Sequence, residues 1–236
     1  MILVLVQMDA HIICFATWIS NLLCLFNRVW REQSFPRQWQ EAVVIPILKP
    51  GQDPANPLHY RPIALTSVLY KTLERMVNAR LVFQLEKQGC IPPLQSGFRR
   101  GRSTFDNIVH LETQIRNAFM RRNHLVSIFF DVEKAYDRTW RHGILRKLYN
   151  LGFKGNLTLF IKRFLYSRTF RVRLGNFYSD PFNQVEGVPQ GYILSVTLFI
   201  LHFSEILNHL LPSVTETLYV DDLQISSQGC NMRLIE

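Results

Sequence analysis

Leu218–Ser226 reads LYVDDLQIS. Two carboxylates, Asp221 and Asp222, stand side by side in a β-prone, largely apolar run. Charged groups are rarely buried without a partner, and adjacent like charges raise the cost of ionising both. The pair therefore asks for something positive between its oxygens, and a metal ion answers. Leu218, Tyr219 and Val220 before the pair and Leu223 after it predict two apolar strands joined by a tight turn. Hairpin turns often need positive φ, which a β-branched valine disfavours. Strain of that kind tends to mark functional sites. An Asp-Asp pair in isolation is more often a turn or a solvated edge, so its company matters.

That company lies upstream. His124–Val132, HLVSIFFDV, is β-branched and aromatic and predicts a buried strand running into Asp131. Asp131 precedes Asp221 by 221 − 131 = 90 residues. If the two strands are neighbours in one sheet, three carboxylates converge at one end. Hard oxygen ligands of this kind suit Mg²⁺ or Mn²⁺. Two such ions about 4 Å apart form the clamp used in phosphoryl and nucleotidyl transfer.

Periodicity sketches the remainder. Residues 12–33 read as a helix stopped at Phe35-Pro36, and AVVIPI (42–47) as a short strand entering a turn-rich stretch. From Ala64 to Lys87, Leu65, Leu69, Leu73, Met76, Val77 and Leu81 keep helical spacing. LQSGFRRGRSTFDN (94–107) is a basic loop, followed by a helix over 106–121. Helices are expected at 134–150 and 155–166, a hairpin with a Gly-Asn turn after Phe170, a long helix after Gly191, and a strand pair at 215–227. Helices and strands mix without strict alternation, which indicates the α+β class.

The chain has 236 residues, 47% of them hydrophobic, and a net charge of +9. A basic surplus suits a polyanionic partner, nucleic acid or an anionic membrane, although solubility alone also accounts for surface charge. Cys14, Cys24, Cys90 and Cys230 form no C-x-x-C pair, which excludes a zinc knuckle and a dithiol motif and suits reduced thiols in an intracellular protein. The apolar N-terminus lacks a basic lead-in and is interrupted by Gln7, Asp9 and His11. It reads as a helix packed on AVVIPI or on the 65–81 helix rather than as a signal peptide or membrane anchor.

FFDVEKAYD (129–137), GVPQG (187–191) and YVDD (219–222), in that order, resemble motifs A, B and C of a reverse transcriptase palm. FPRQWQEAVVIPILKPG, YRPIALTSVLYKTLERMVNARL and QSGFRRGRSTFDNI resemble the fingers of non-LTR, LINE-type retrotransposon enzymes, especially the jockey-like arthropod group. The resemblance covers roughly residues 12–227. It implies a right-hand polymerase fold: fingers over residues 1–125, and over 126–236 a partial palm with an antiparallel sheet and flanking helices, without a thumb.

The resemblance also implies roles. Asp131 and Asp221 would bind two Mg²⁺ or Mn²⁺ ions, with Asp222 in support and the Val132 carbonyl on the ion that enters with the nucleotide. Tyr136 would be the steric gate against a ribose 2′-hydroxyl. Ala135, Gln190 and Gly191 would line the incoming dNTP, and Lys49 and Arg61 would approach its triphosphate. Arg99, Arg100 and Arg102, with Phe98 and Phe105, suit a template strand by charge and stacking. A solvated basic loop is the plain alternative, as are solvated surface charges at Lys49 and Arg61, turn glycines at Gly187 and Gly191, and a core role for Tyr136. Partners would be an RNA template, a DNA primer and dNTPs, with no stable membrane association, in the nucleus or cytoplasm rather than in a secreted protein.

Three residues depart from the pattern: Tyr192 follows PQG where serine is usual, Val196 replaces a frequent proline, and Gln224 replaces an apolar or small residue. Family members continue beyond motif C into a primer-grip hairpin and a thumb, which further chain or another protein would have to supply. The reading is therefore a truncated RNA-directed DNA polymerase whose isolated chain is inactive or very weak. The alternative is a relic that binds nucleic acid and catalyses nothing.

Overall fold

The computed structural model describes residues 10–166 and 168–231, with side chains from residue 17 onward. Helix α1 (Ala10–Glu32) leads through one-turn α2 (Arg37–Gln40) into strand β1 (Glu41–Leu48). A 3-10 turn at Pro57–His59 precedes β2 (Tyr60–Leu65), which is followed by α3 (Val68–Lys87), α4 (Thr104–Met120) and β3 (His124–Phe130). Then come α5 (Arg141–Asn150), α6 (Asn156–Tyr166), β4 (Thr169–Leu174), β5 (Phe177–Tyr178), β6 (Phe182–Asn183) and α7 (Ile193–Phe203). Strands β7 (Thr215–Tyr219) and β8 (Asp222–Gly229) close the described chain. The class is α+β, with two separate sheets.

The first sheet runs β2-β1-β4-β5, with β6 on β4. Its centre is a parallel pairing of β1 with β4, from Glu41↔Thr169 to Val44↔Val172. Pro46 lies beyond that pairing, so β1 has a partner on one side only there, and Pro62 opposite it sits on the edge strand β2. Proline lacks an N–H and is tolerated at such edges. The helix expected from Ala64 begins instead at Val68, because Tyr60–Leu65 pairs back on β1 as a hairpin. Leu69 and Met76, expected on its apolar stripe, are exposed; Tyr70, Leu73, Glu74, Val77, Leu81 and Leu85 are buried. A division at residue 125 does not separate the sheets, since β4 and β6 lie beyond it and join β1.

The second sheet is antiparallel, in the order β3-β8-β7. The strand expected to be buried, β3, is its edge, and Phe129 there is 69% exposed. Apolar composition is shared by core and edge strands, so it cannot tell them apart. The helix expected from residue 134 starts only at Arg141; residues 133–138 form turns, with Lys134 at φ +54°. The Gly-Asn hairpin is present: Gly175 at φ +60° and Asn176 join Leu174 to its partner Phe177.

Helices α3, α5, α6 and α7 enclose the core, where Leu81, Leu85, Ile144, Leu148, Phe160 and Leu198 have no exposed surface. Each such side chain contributes about 1.5–3 kcal/mol of transfer free energy. Helix α1 packs through Phe26 on Trp39 and Trp30 on Phe160 (ring centroids 6.4 and 5.7 Å apart), and shares a groove with Leu73, Met76 and Val77 of α3. Residues 1–9, where the apolar N-terminal segment begins, and the Cys14 side chain lie outside the described residues. No described helix is long and apolar enough to cross a membrane. Cys24, Cys90 and Cys230 are free thiols.

Candidate active site

The three acids meet at one end of the second sheet. Strands β3 and β8 pair from His124↔Gly229 to Phe130↔Leu223. Asp131 follows β3 directly and Asp222 opens β8, so one further step of this register sets them opposite each other. Neighbouring strands lie about 4.8 Å apart. Asp221 sits in the turn before β8. Burial pushes its carboxyl above the ordinary range, and the charges of Asp222 and Asp131 push it further. None of the three joins an ion pair among the described residues.

Hard oxygens that repel one another fit a divalent cation. Among the described residues, however, no three acidic, histidine or cysteine side chains are gathered closely enough to hold a metal ion by themselves. Asp131 and Asp222 face solvent, and the cluster is open. An open set of one to three carboxylates suits a Mg²⁺-like ion that keeps waters and takes its other ligands from substrate phosphates.

The hairpin between β7 and β8 closes at Tyr219↔Asp222, leaving Val220 and Asp221 as its two loop residues. Val220 has φ +63°. Positive φ at the first loop residue is the type II′ pattern, where glycine is usual. Holding a β-branched residue there costs of order 1–3 kcal/mol, and it persists only where the surroundings over-determine it. The surroundings are the segment Leu94–Gly97. Leu218 N–H donates to the Leu94 carbonyl (3.1 Å), and Ser96 N–H to the Leu218 carbonyl (3.0 Å). Val220 N–H donates to Gln95 Oε1 (3.1 Å).

A second junction joins the segments around Tyr136 and Gly187. Val188 N–H donates to the Tyr136 carbonyl (2.8 Å). A Cβ on Gly187, at φ +65°, would lie 2.4 Å from the Asp137 carbonyl oxygen, so only glycine fits. Arg141, buried, donates Nε to the Gly187 carbonyl (2.6 Å), Nη1 to Gln184 (3.0 Å) and Nη2 to Glu186 (2.7 Å). The Tyr136 ring is half-buried and stacks on Phe199 (5.0 Å); burial and the nearby Asp221 charge push its hydroxyl up to about 12. Ala135 is buried, and Val132 packs against the core. Ala64 N–H of β2 donates to the Gln190 carbonyl (3.0 Å), and a Cβ on Gly191 would lie 2.7 Å from the Ala64 oxygen. The PQG loop is thereby docked on the same hairpin that carries Lys49 and Arg61. Both of these are exposed and outside any ion pair among the described residues.

The basic loop divides. Arg100 is exposed. Arg102 is exposed and paired with Asp106 (3.4 Å). Arg99, expected to be exposed, is not: its side chain is 14% exposed, and it bonds Glu86 (2.6 Å) and the carbonyls of Pro92 (2.8 Å) and Gln95 (3.0 Å). A planar fork with five donors can satisfy an acid and two carbonyls at once, which ties the loop to the end of α3. Phe98 and Phe105 remain exposed.

Sequence reasoning missed Gln95, Arg141, Arg168 and Glu74. Glu74 left one signal, an acid on the buried Tyr70-Val77-Leu81 face of α3. It caps α7, accepting from Leu194 N–H (2.8 Å), and burial pushes it up to about 7. The departures are absorbed locally. Tyr192 is buried against Tyr70 and Phe164, with the Arg168 guanidinium 4.1 Å from its ring centre. Gln224, buried, accepts from Thr217 Oγ1 (2.6 Å).

The reverse transcriptase (RNA-dependent DNA polymerase) family model matches residues 47–235. The chain is 34% identical over 221 residues to "Probable RNA-directed DNA polymerase from transposon BS" of Drosophila melanogaster, covering 90% of this chain and 24% of that protein. It is 34% identical over 191 residues to "RNA-directed DNA polymerase from mobile element jockey" of the same species, covering 81% of this chain and 21% of that protein. It thus spans about a quarter or less of the length of these relatives. Among solved structures, a telomerase from Candida albicans in complex with a telomeric RNA fragment superposes with a TM-score of 0.63 at 14% identity, over 85% of this chain and 39% of that one. Apo telomerase from Candida tropicalis gives 0.59 at 14% identity, over 92% and 45%. These structural likenesses concern the fold. The family match and the retrotransposon relatives, taken with acids that meet where motifs A and C put them, make this chain a member of the reverse transcriptase family, of the LINE type.

Proposed function

We propose that the chain is the catalytic segment of an RNA-directed DNA polymerase of a non-LTR retrotransposon, joining dNTPs to a primer 3′-hydroxyl on an RNA template in the nucleus or cytoplasm. The observation that carries this reading is the convergence of Asp131, Asp221 and Asp222 at one open sheet end, where burial, and then the neighbouring like charges, raise Asp221. On this reading the three-stranded sheet is the palm and the β1–β2 hairpin belongs to the fingers.

Asp131 and Asp221, with Asp222 in support and the Val132 carbonyl, would hold two Mg²⁺ or Mn²⁺ ions. Such ions, when bound, acidify the attacking hydroxyl and neutralise the departing pyrophosphate. The chain's own groups position the reactants. Tyr136, next to Asp221 and neutral at physiological pH, offers its ring edge against a 2′-hydroxyl. Ala135, Gln190 and Gly191 line the sugar and base. Lys49 and Arg61 meet the triphosphate, while Arg100 and Arg102 follow the template. Arg99 serves this surface by fastening its loop.

Primer extension on an oligo(dT)-primed RNA template tests the reading. The chain continued into the C-terminal remainder of the jockey polymerase is expected to extend the primer and to lose that activity on Asp221→Asn. The chain without that addition is expected to extend weakly or not at all, because an unheld 3′-hydroxyl forfeits up to about 7–11 kcal/mol of positioning. A continued chain that binds template and primer but never extends would support the relic instead.

Template binding gives an independent check. Four exposed cations (Lys49, Arg61, Arg100 and Arg102) on a single strand predict a slope of log K against log salt near about −3. Arg100→Gln should reduce that slope by about 0.7. Arg99→Gln should leave the slope unchanged, because its charge is spent inside the loop. An Arg99→Gln slope that falls as much as Arg100→Gln would contradict this division.

A further inference from the structure

The segment Leu94–Gly97 holds more of the Asp221 turn than its place in a basic loop suggests. Gln95 has no exposed surface. Its Oε1 accepts two backbone N–H groups, from Gly97 (2.8 Å) on its own segment and from Val220 (3.1 Å) across 125 residues. The backbones on either side are paired too. Gln95 bridges Leu218 as a parallel partner, and Asn107 Nδ2 of α4 donates to the Leu218 carbonyl (3.1 Å). The fit at the next residue is tight: a Cβ on Gly97 would lie 2.5 Å from Val220 Cγ2 and 2.8 Å from Val220 N.

Val220 is the residue held at φ +63°, and the acid follows it immediately. Rotation of the 219–220 peptide would turn the Val220 N–H away from Gln95 and swing Asp221 with it. Nothing else among the described groups accepts that N–H. Gln95 Nε2 has no partner among the described residues, so the side chain is placed for its acceptor oxygen.

We propose that Gln95 is a positioning residue for the Asp221 site. Its oxygen locks the Val220 turn in the left-handed conformation that brings Asp221 beside Asp222 and Asp131, and Gly97 leaves the room for that turn. The inference rests on the reading of these acids as the cation site. Gln95 itself touches no substrate. It acts through the backbone of Val220, and because Gln95 belongs to the segment fastened by Arg99, the basic loop and the acids move together.

Mn²⁺ binding to the 236-residue chain, followed by electron paramagnetic resonance, tests the proposal together with amide hydrogen exchange in residues 218–223. Gln95→Met fills the same space and removes the acceptor. It is expected to weaken Mn²⁺ binding by about tenfold, which corresponds to about 1.4 kcal/mol and is close to the net worth of one hydrogen bond. It should also speed exchange at Val220. Val220→Gly in the Gln95→Met background should restore most of the binding, because glycine takes positive φ without help. A merely structural role for Gln95 predicts no such rescue. Gly97→Ala, which perturbs the same turn while keeping Gln95, should weaken binding in the same direction.

Mn²⁺ binding that is lost in Asp221→Asn but unchanged in Gln95→Met overturns the role of Gln95 and leaves the cation site standing. If the parent chain binds no Mn²⁺, the cation-site reading fails by itself, and exchange alone decides the clamp. Faster exchange at Val220 in Gln95→Met then upholds the clamp, and unchanged exchange overturns it.

Discussion

Arg141→Met is expected to lower the stability of the chain by about 2–4 kcal/mol and to free the segment 184–187. The Arg141 guanidinium is enclosed, and burial lowers its pKa below the ordinary value, yet it is held by three carbonyls of one segment. Methionine refills the volume but donates nothing. The Gly187 carbonyl is left buried and unpaired, at a cost of about 1–3 kcal/mol. The Gln184 and Glu186 bonds are only partly buried, so water replaces some of what is lost. Relief of guanidinium desolvation offsets part of the sum, which keeps the estimate below the total of three orphaned groups. Arg141→Lys should recover less than half, because one ammonium on a flexible stem cannot reproduce the planar fork. Urea unfolding measures both, as a shift of midpoint at unchanged slope. The segment in question carries Gly187 onto the Tyr136 carbonyl, so proteolysis near 184–187 should rise with the loss. Equal midpoints for Arg141→Met and the parent would refute the argument.

The second large effect is the pH dependence contributed by Glu74. Its carboxyl is fully enclosed between α3 and α7, and burial outweighs the Leu194 N–H and the Arg168 charge that favour ionisation. The folded pKa is about 7 against an ordinary 4.5. Below pH 4.5 the group is protonated in both states, and its contribution is fully present. As pH rises the unfolded chain ionises first, so stability falls until the folded group ionises near pH 7. A difference of about 2.5 units corresponds to roughly 3 kcal/mol across that window. Glu74→Gln keeps an acceptor for Leu194 N–H and removes the titration. The parent should therefore lose markedly more stability than Glu74→Gln between pH 5 and pH 8. Absolute stabilities are a separate matter, since the variant also removes the acid whose charge interacts with Arg168. Parallel pH profiles for the two chains would contradict the assignment.

The three clustered acids were legible because residue type, order and local strain carry the signal. Asp131 ends a β-prone run, Asp221 and Asp222 stand between two, and Val220 sits where a hairpin wants positive φ. Strands β7 and β8, the Gly175-Asn176 turn and helices α4 and α6 were legible for the same reason: period and punctuation act within a few residues. The resemblance supplied the remaining site positions, and the fold brings Tyr136, Gln190 and Gly191 to the vicinity of the acids or docks them on the neighbouring hairpin.

What the sequence by itself determined is most of the helices and strands, though not the segments around Tyr60–Leu65 and 134–140, and which residue types are set at the turn. The tertiary structure alone decided the partners of those segments. It made β3 an edge, paired β1 in parallel with β4 across more than a hundred residues, and turned Tyr60–Leu65 into a hairpin strand. It drew Arg99 inward, set Arg141 against Gly187, and placed a glutamine from a basic loop under the Asp221 turn. The Arg99 contacts lie within one irregular loop and its approach, while the Arg141 and Gln95 contacts span 46 and 125 positions, and no local period records either kind. An uncharged glutamine also has the same composition whether it faces water or holds a buried N–H.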